Sequence, residues 1–470
     1  VGHMKRLKGS KDEPKEVTGN FDWQGRLHKR NLKWVRNVHE MVEPMYMAFA
    51  GMTHEAGKCV LVKDAYILHN KTIAEQDGQT ARYKKMEVVK NVLFDSVMYT
   101  NEGITHHARE EAKQLKQLGW DIFLTDYYKG KFGEEFKEMY SPFDTLYDKY
   151  ITYVNQPPVR PGGHGGDLLT KIGMPNLVYY LAWEGDVLPT PWKQVMTQKS
   201  VRKVLTPSTY CKQVFEEAGV ERVEVLPHGI NTELFKPNSS AGRVIVDDGL
   251  KSFLFVGTWF GGKKDRKGID VLLKAWRKIS KDLPDWKLVL KLNNRYFPRN
   301  ESWTDSIRSL VGNLQRVEII DCDLTDDEMA HLYNNCDVYV SPTRAEGFNI
   351  PALEARACGK PVIATGATGH MDFLSVKDKP VKGVKFIKVL RKVPAEARFP
   401  YKGDDWHANW FEPSAEHLTE LMLECSRELQ ALQKDSLKDS ERIRKEYDWA
   451  VIGKALEEKF IDVLQEMYYE

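Results

Sequence analysis

No stretch of this 470-residue chain approaches the roughly 20 consecutive apolar residues needed to span a bilayer. The start, Val1-Gly2-His3-Met4-Lys5-Arg6, lacks the apolar core of a secretory leader, and the three residues before Met4 read as an expression scar. Cysteine is scarce and scattered: Cys59, Cys211, Cys322, Cys336, Cys358 and Cys425 form no C-x-x-C pair. That argues against a disulfide framework and a zinc site, and fits a reducing, cytoplasmic compartment. Internal repeats and long low-complexity tracts are also missing.

What is present suits two domains and an extra piece: 42% apolar residues, 11% aromatics, and too much chain for one ordinary core. Net charge is only +2, but residues 1–90 carry 17 Lys/Arg against 11 Asp/Glu, while the rest carries 52 against 56. Such a basic bias suits contact with nucleic acid or a membrane surface, or equally an ordinary solvated subdomain. Residues 5–20 are polar and charged, which predicts disorder. From Gln24 to Val42, Leu27, Trp34, Val38 and Met41 recur at helical spacing, with Arg26, Arg30, Lys33 and Arg36 mostly off that stripe. This predicts a basic amphipathic helix, packed on the main body or set against a membrane or nucleic acid. Short β-like runs follow at Cys59 to Val62 and Tyr66 to Leu68.

From Val89 the pattern changes. Val92-Leu93-Phe94 with Val97-Met98 reads as a buried strand, Thr105 to Leu118 as a helix closed by Gly119, and Asp121 to Leu124 as the next strand. This βαβ unit demands a parallel sheet. A second series opens at Phe253 to Gly257 and alternates helices with strands at Lys287 to Leu292, Val317 to Ile320 and Val338 to Val340. Thr325 and Glu328 have capping-box spacing. The fold expected is therefore α/β, with two doubly wound Rossmann-like domains and a cleft between them. The expected boundaries are an extension over 1–88, a first domain over 89–235, a second over 236–440, and a C-terminal helix over 441–470 that crosses back to the first.

Chemistry concentrates in Ser341-Pro342-Thr343-Arg344-Ala345-Glu346-Gly347-Phe348-Asn349-Ile350-Pro351, running on through Glu354 to Gly359-Lys360-Pro361-Val362-Ile363-Ala364-Thr365. It reads as strand, loop and short helix, with Pro351 in the first turn and Gly359 just past the end. Free backbone N–H groups at such a helix start suit a diphosphate. Glu346 and Glu354, eight positions apart, then suit sugar hydroxyls. Alone, they are equally a solvated loop residue and a complement to the helix dipole. A glycosidase carboxylate pair is disfavoured, because the loop is shaped for phosphate.

The whole string resembles the signature of the retaining glycosyltransferases of family four, which have the GT-B fold and a Glu-x7-Glu pair followed by G-x-P-V-I-A-T. The resemblance implies that Glu346 holds the donor sugar and Glu354 the donor ribose, with the backbone of Phe348, Asn349 and Ile350 near the diphosphate. Supporting pieces stand in the family's order: Val204 to Ser208, Leu226-Pro227-His228-Gly229-Ile230-Asn231, and Phe255-Val256-Gly257 followed by Arg266-Lys267-Gly268-Ile269-Asp270. By the same resemblance Lys267, with Arg266 beside it, neutralises the leaving group, and Gly257 lines the donor site. Where the family often has a basic residue after V-G, this chain has Thr258, so Lys263, Lys264 or Arg266 is expected to supply the charge. On the acceptor side the resemblance points to Gly103, and to Glu184 and Asp186 in Trp183-Glu184-Gly185-Asp186, with Glu184 in place of a histidine. His164, in a glycine-rich loop, is a further candidate base or an ordinary solvated side chain, and Asp372 stands where the family has Glu.

Asp321-Cys322-Asp323 spells D-x-D but sits at a strand end two residues before the capping box, so no metal is expected. No cofactor is expected either, only a UDP- or GDP-linked sugar as donor substrate, with a glycan, lipid-linked sugar or small molecule as acceptor. A hydroxylated base in DNA is the alternative acceptor, and a non-catalytic nucleotide-sugar-binding protein the alternative class. A nicotinamide enzyme is excluded by the lack of G-x-G-x-x-G after either first strand.

Overall fold

The computed structural model describes residues 15–18, 58–61, 89–96, 103–124, 150–155, 176–237, 248–259, 265–293, 302–395 and 407–469. The chain divides into two units, Val1–Val88 and Val89–Glu470. In the first, β1 (Lys15–Thr18) pairs antiparallel with β2 (Lys58–Leu61), Val17 opposite Cys59. Disorder predicted throughout 5–20 is thus corrected: polar composition hides a four-residue segment whose backbone hydrogen bonds are met by a partner about forty residues on. The helix expected at 24–42 and the run at 66–68 lie outside the described residues.

The second unit holds two six-stranded sheets, parallel throughout. The first domain runs β3 (Asn91–Asp95), α1 (Gly103–Gln117), β4 (Asp121–Leu124), β5 (Ile151–Val154), β6 (Leu177–Tyr180), α2 (Thr190–Met196), β7 (Val201–Thr206), α3 (Thr209–Glu217) and β8 (Val223–Val225). Its strand order is β4-β3-β5-β6-β7-β8. The helix expected from Thr105 begins at Gly103, and 97–98 lie outside the described residues.

The second domain runs β9 (Lys251–Thr258), α4 (Ile269–Ile279), β10 (Trp286–Asn293), α5 (Trp303–Val311), β11 (Val317–Ile320), α6 (Asp326–Asn335), β12 (Val338–Ser341), α7 (Ile350–Ala357), β13 (Val362–Thr365) and α8 (Met371–Leu374). After a short pair, β14 (Ser375–Val376) and β15 (Lys379–Pro380), β16 (Val384–Ile387) completes the order β11-β10-β9-β12-β13-β16. β10 carries the apolar run Leu288-Val289-Leu290, as burial on both faces requires; its buried Lys287 is met by Glu318 at 2.8 Å and Asp248 at 3.2 Å. The capping box forms at the start of α6, with the Thr325 N–H donating to Glu328 at 2.7 Å.

A hairpin outside the sheet, β17 (Val389–Pro394) and β18 (Asn409–Pro413), precedes α9 (Ala415–Glu446) and α10 (Trp449–Tyr469). The charged C-terminal helix breaks at Tyr447-Asp448, where the chain returns to the first domain. There the buried Phe460 ring lies 5.4 Å from that of Trp120 and 5.1 Å from that of Tyr153. The two crossings between domains are bonded to each other. Ile230 donates its N–H to Tyr447 at 2.8 Å, and Trp449 donates to Ile230 at 3.3 Å.

Behind this double crossing sits a buried polar cluster. An Nδ1 of His107 or His228 donates to the other across 2.7 Å, His107 Nε2 lies 3.0 Å from Glu111, and the Tyr153 hydroxyl donates to Glu111 at 2.8 Å. Burial holds both histidines well below their usual range. It also pushes Glu111 up to about 8 against the opposing hydrogen bonds of Tyr153 and Asn155.

Candidate active site

In a doubly wound sheet, ligands bind beyond the carboxyl ends of the strands where the strand order reverses. In the second domain that point lies between β9 and β12. The turn after β9 carries Arg266 and Lys267; the loop after β12 carries Glu346. The two loops interlock through their backbones, Arg344 donating its N–H to Arg266 at 2.7 Å. Gly268 opens α4 at φ 73°, where any side chain would run into the Pro342 carbonyl. Only glycine permits both the left-handed backbone and the close approach.

The functional groups converge accordingly. Lys267 donates to both Glu346 oxygens at 2.7 and 3.0 Å. Arg266 donates to Glu346 at 3.2 Å and to the Ala345 carbonyl at 2.7 Å, and its other amino group lies 3.5 Å from Glu184 of the first domain. Burial by itself would raise the Glu346 carboxyl; the charges of Lys267 and Arg266 overcome it and hold the group at about 2. Asp265, just upstream, is buried with neither carboxylate oxygen bonded among the described residues, and burial pushes it up to about 6.

At the start of α7, Asn349 takes the cap position at φ 81°, its side chain donating to Ser341 at 3.0 Å. Ile350 and Pro351 follow as the first helical residues. Among the described residues, the backbone N–H groups of Phe348 and Asn349 have no acceptor. The Phe348 ring itself is buried between His228, at 5.1 Å, and Phe373, at 5.3 Å. Glu354 lies one turn further into the helix than the loop and accepts from the Tyr333 hydroxyl at 2.8 Å. Burial, with the Asp326 charge adding to it, pushes its carboxyl up to about 8.

Lys267, Arg266, Glu346 and Glu184 are therefore in one constellation, with Gly257 against it: a Cβ there would stand 3.5 Å from the Lys267 side chain. Thr258 ends β9 opposite Asn293. Asp186 is engaged elsewhere. It accepts from Lys392 at 2.8 Å and from the Asn409 N–H at 2.6 Å, both on the β17–β18 hairpin. Gly103 is the first residue of α1, while Lys263, Lys264 and His164 lie outside the described residues. Asp321 accepts from Trp303 at 3.3 Å, and among the described residues no group of three His, Cys, Asp or Glu gathers as a metal site.

Several bridging contacts were not legible, though Ser208 and Asp372 stand in the sequence among the family-like positions. Ser208 donates across the cleft to the Gly347 carbonyl at 2.6 Å. Asp372 accepts from the Thr209 N–H at 2.7 Å, closing the start of α3 from the opposite domain. Arg344, Asp270 and Glu412 form a buried charge network behind the cations. Arg344 and Asp270 stand inside the motif strings; Glu412 carries no sequence signal at all.

Two Rossmann-like domains facing each other across a cleft form a GT-B-like fold, with Arg266 and Lys267 at the switch point of the second domain, and the relatives that follow mark a glycosyltransferase that draws on a nucleotide-sugar donor. Residues 251–384 match the family described as Glycosyl transferases group 1. Over 315 residues the chain is 26% identical to an uncharacterized glycosyltransferase of Methanocaldococcus jannaschii, covering 60% of this chain and 80% of that one. It is 28% identical over 197 residues to a D-inositol 3-phosphate glycosyltransferase of Acidothermus cellulolyticus, spanning 40% of this chain and 44% of that protein. A solved glycosyltransferase from Rickettsia africae shares the fold at TM-score 0.59 and 17% identity, over 80% of this chain and 99% of its own.

Proposed function

We propose that the chain transfers a hexosyl or pentosyl unit from a UDP- or GDP-linked sugar to an acceptor hydroxyl with retention of anomeric configuration. The observation that carries this is the convergence of Lys267 and Arg266 on Glu346, in the loop whose next residues, Phe348 and Asn349, keep unbonded amides. The hard step is departure of a nucleoside diphosphate from the anomeric carbon. An ammonium about 4 Å from a phosphate oxygen contributes roughly 4 kcal/mol at intermediate dielectric. Lys267, Arg266 and the α7 amides are fixed before the charge develops, which is how such groups lower a barrier. We assign the second cation to Arg266, which shares Glu346 with Lys267.

Glu346 then plays two parts. In the free protein it is the counter-ion of the cation pair, and with donor bound it accepts hydrogen bonds from the sugar hydroxyls while the diphosphate takes over the cations. Glu354 accepts from the donor ribose once ionised. Glu184, on the opposite wall and 3.5 Å from Arg266, faces the acceptor side. Attack from the face the leaving group vacates gives retention without a protein nucleophile, and domain closure keeps water from the donor. The acceptor is a hydroxyl of a glycan, lipid-linked sugar or small molecule.

Incubation with a panel of nucleotide sugars, read by mass spectrometry for transfer or donor hydrolysis, tests the reading. Lys267→Ala is expected to lower turnover about 10²–10³-fold, the scale of losing one charge-stabilising donor. Turnover unchanged in that variant sinks the assignment.

A further inference from the structure

Arg344 lies inside the motif loop, yet its side chain bonds neither cationic head nor Glu346. Its side chain is 1% exposed, and its guanidinium spends every N–H on protein. One edge binds Asp270 at 2.7 and 2.9 Å, another binds Glu412 at 2.7 and 2.9 Å, and the Asp265 carbonyl accepts at 2.5 Å. The main chain of Arg344 is tied as well, donating to Arg266 at 2.7 Å and accepting from Phe411 at 2.9 Å. One residue therefore joins the turn that carries Arg266 and Lys267, the loop that carries Glu346, and the β17–β18 hairpin.

Resting on the donor reading above, we propose that Arg344 is a positioning residue that keeps the diphosphate cations available. Asp270 stands three residues after Lys267 at the head of α4, with Lys274 3.8 Å away as its other partner, and once released by Arg344 it would compete for Lys267 and Arg266. Bidentate capture by a planar guanidinium removes both Asp270 and Glu412 from that competition, and the fork fixes the angle between the two loops. A lysine at 344 keeps the charge but cannot hold two carboxylates edge-on. The cations are thus left facing Glu346, whose place an incoming diphosphate can take.

Calorimetric titration with UDP and GDP, beside uridine and guanosine, separates this role from a merely structural one. Arg344→Met is expected to weaken the diphosphate that the wild type binds at least tenfold, with the matching nucleoside changed less than twofold. Adding Asp270→Asn to Arg344→Met should return threefold or more of the lost affinity, because the released carboxylate is gone. Should Arg344→Met not fold, Arg344→Lys carries the same comparison of nucleotide with nucleoside. Nucleotide and nucleoside affinities falling together, or a folded variant binding like wild type, overturns the positioning role while leaving the donor reading intact. A wild type that binds neither nucleotide overturns the donor reading, and this proposal with it.

Discussion

Two glutamates, both almost fully buried, behave in opposite ways. Glu346, in the cleft, is held at about 2, whereas Glu111, behind the domain crossing, is pushed up to about 8. Desolvation acts on both in the same direction. The difference is company: Lys267 and Arg266 face Glu346, while Glu111 meets a tyrosine hydroxyl and a histidine that burial keeps neutral. Burial sets a cost, and the sign of the nearby charge decides whether the group stays ionised. At Glu346 the cleft holds a charge; at Glu111 the crossing excludes one.

Removing Glu111 should give the largest change. Its folded value lies above the ordinary 4.5, so its contribution to stability is fully present below pH 4.5 and is lost as pH rises through about 8. One proton held only by the folded state corresponds to a slope of about 1.4 kcal/mol per pH unit across that window. Glu111→Gln should flatten the decline in melting temperature between pH 5 and 8, and an unaltered slope would remove the contrast. Glu354, also raised to about 8, adds to the same decline, so Glu354→Gln should flatten it further.

Glu346 has the reverse sign. Its stabilising contribution is present above pH 4.5 and disappears as pH falls toward about 2. Glu346→Gln should therefore cost about 3 kcal/mol at neutral pH, measured by chemical denaturation, and the deficit should shrink on acidification. A variant as stable as the parent at pH 7 would show that the ion pair is not holding the loops. The smallest effect is expected at the cleft rim, where Asp186 meets the half-exposed Lys392. Lys392→Ala should cost under about 1 kcal/mol, since exposed pairs contribute little.

Much of the frame was readable from sequence because its causes are local. The strand from Val317 to Ile320, the capping box of Thr325 and Glu328, the glycine closing α1 and the break near Asp448 depend on residues a few positions apart. Lys267 came to notice through the family resemblance of its string, and Glu346 through the strand–loop–helix string that carries the same resemblance. The four residues Lys15–Thr18 were missed because a strand that short shows itself only through its partner.

The chain's order of residues thus determined two β/α series, their turns, and a loop fit for phosphate at a helix start. Only the folded arrangement decided who pairs with whom. Arg344 finds Glu412 across 68 positions, and Asp186 finds Asn409 across 223. Arg266 reaches Glu184 from the other domain, and His107 meets His228 at the crossing. Periodicity and turn chemistry act over a few residues, whereas an ion pair or a desolvated cluster exists only once sheet order and the double crossing have brought distant segments within hydrogen-bonding range.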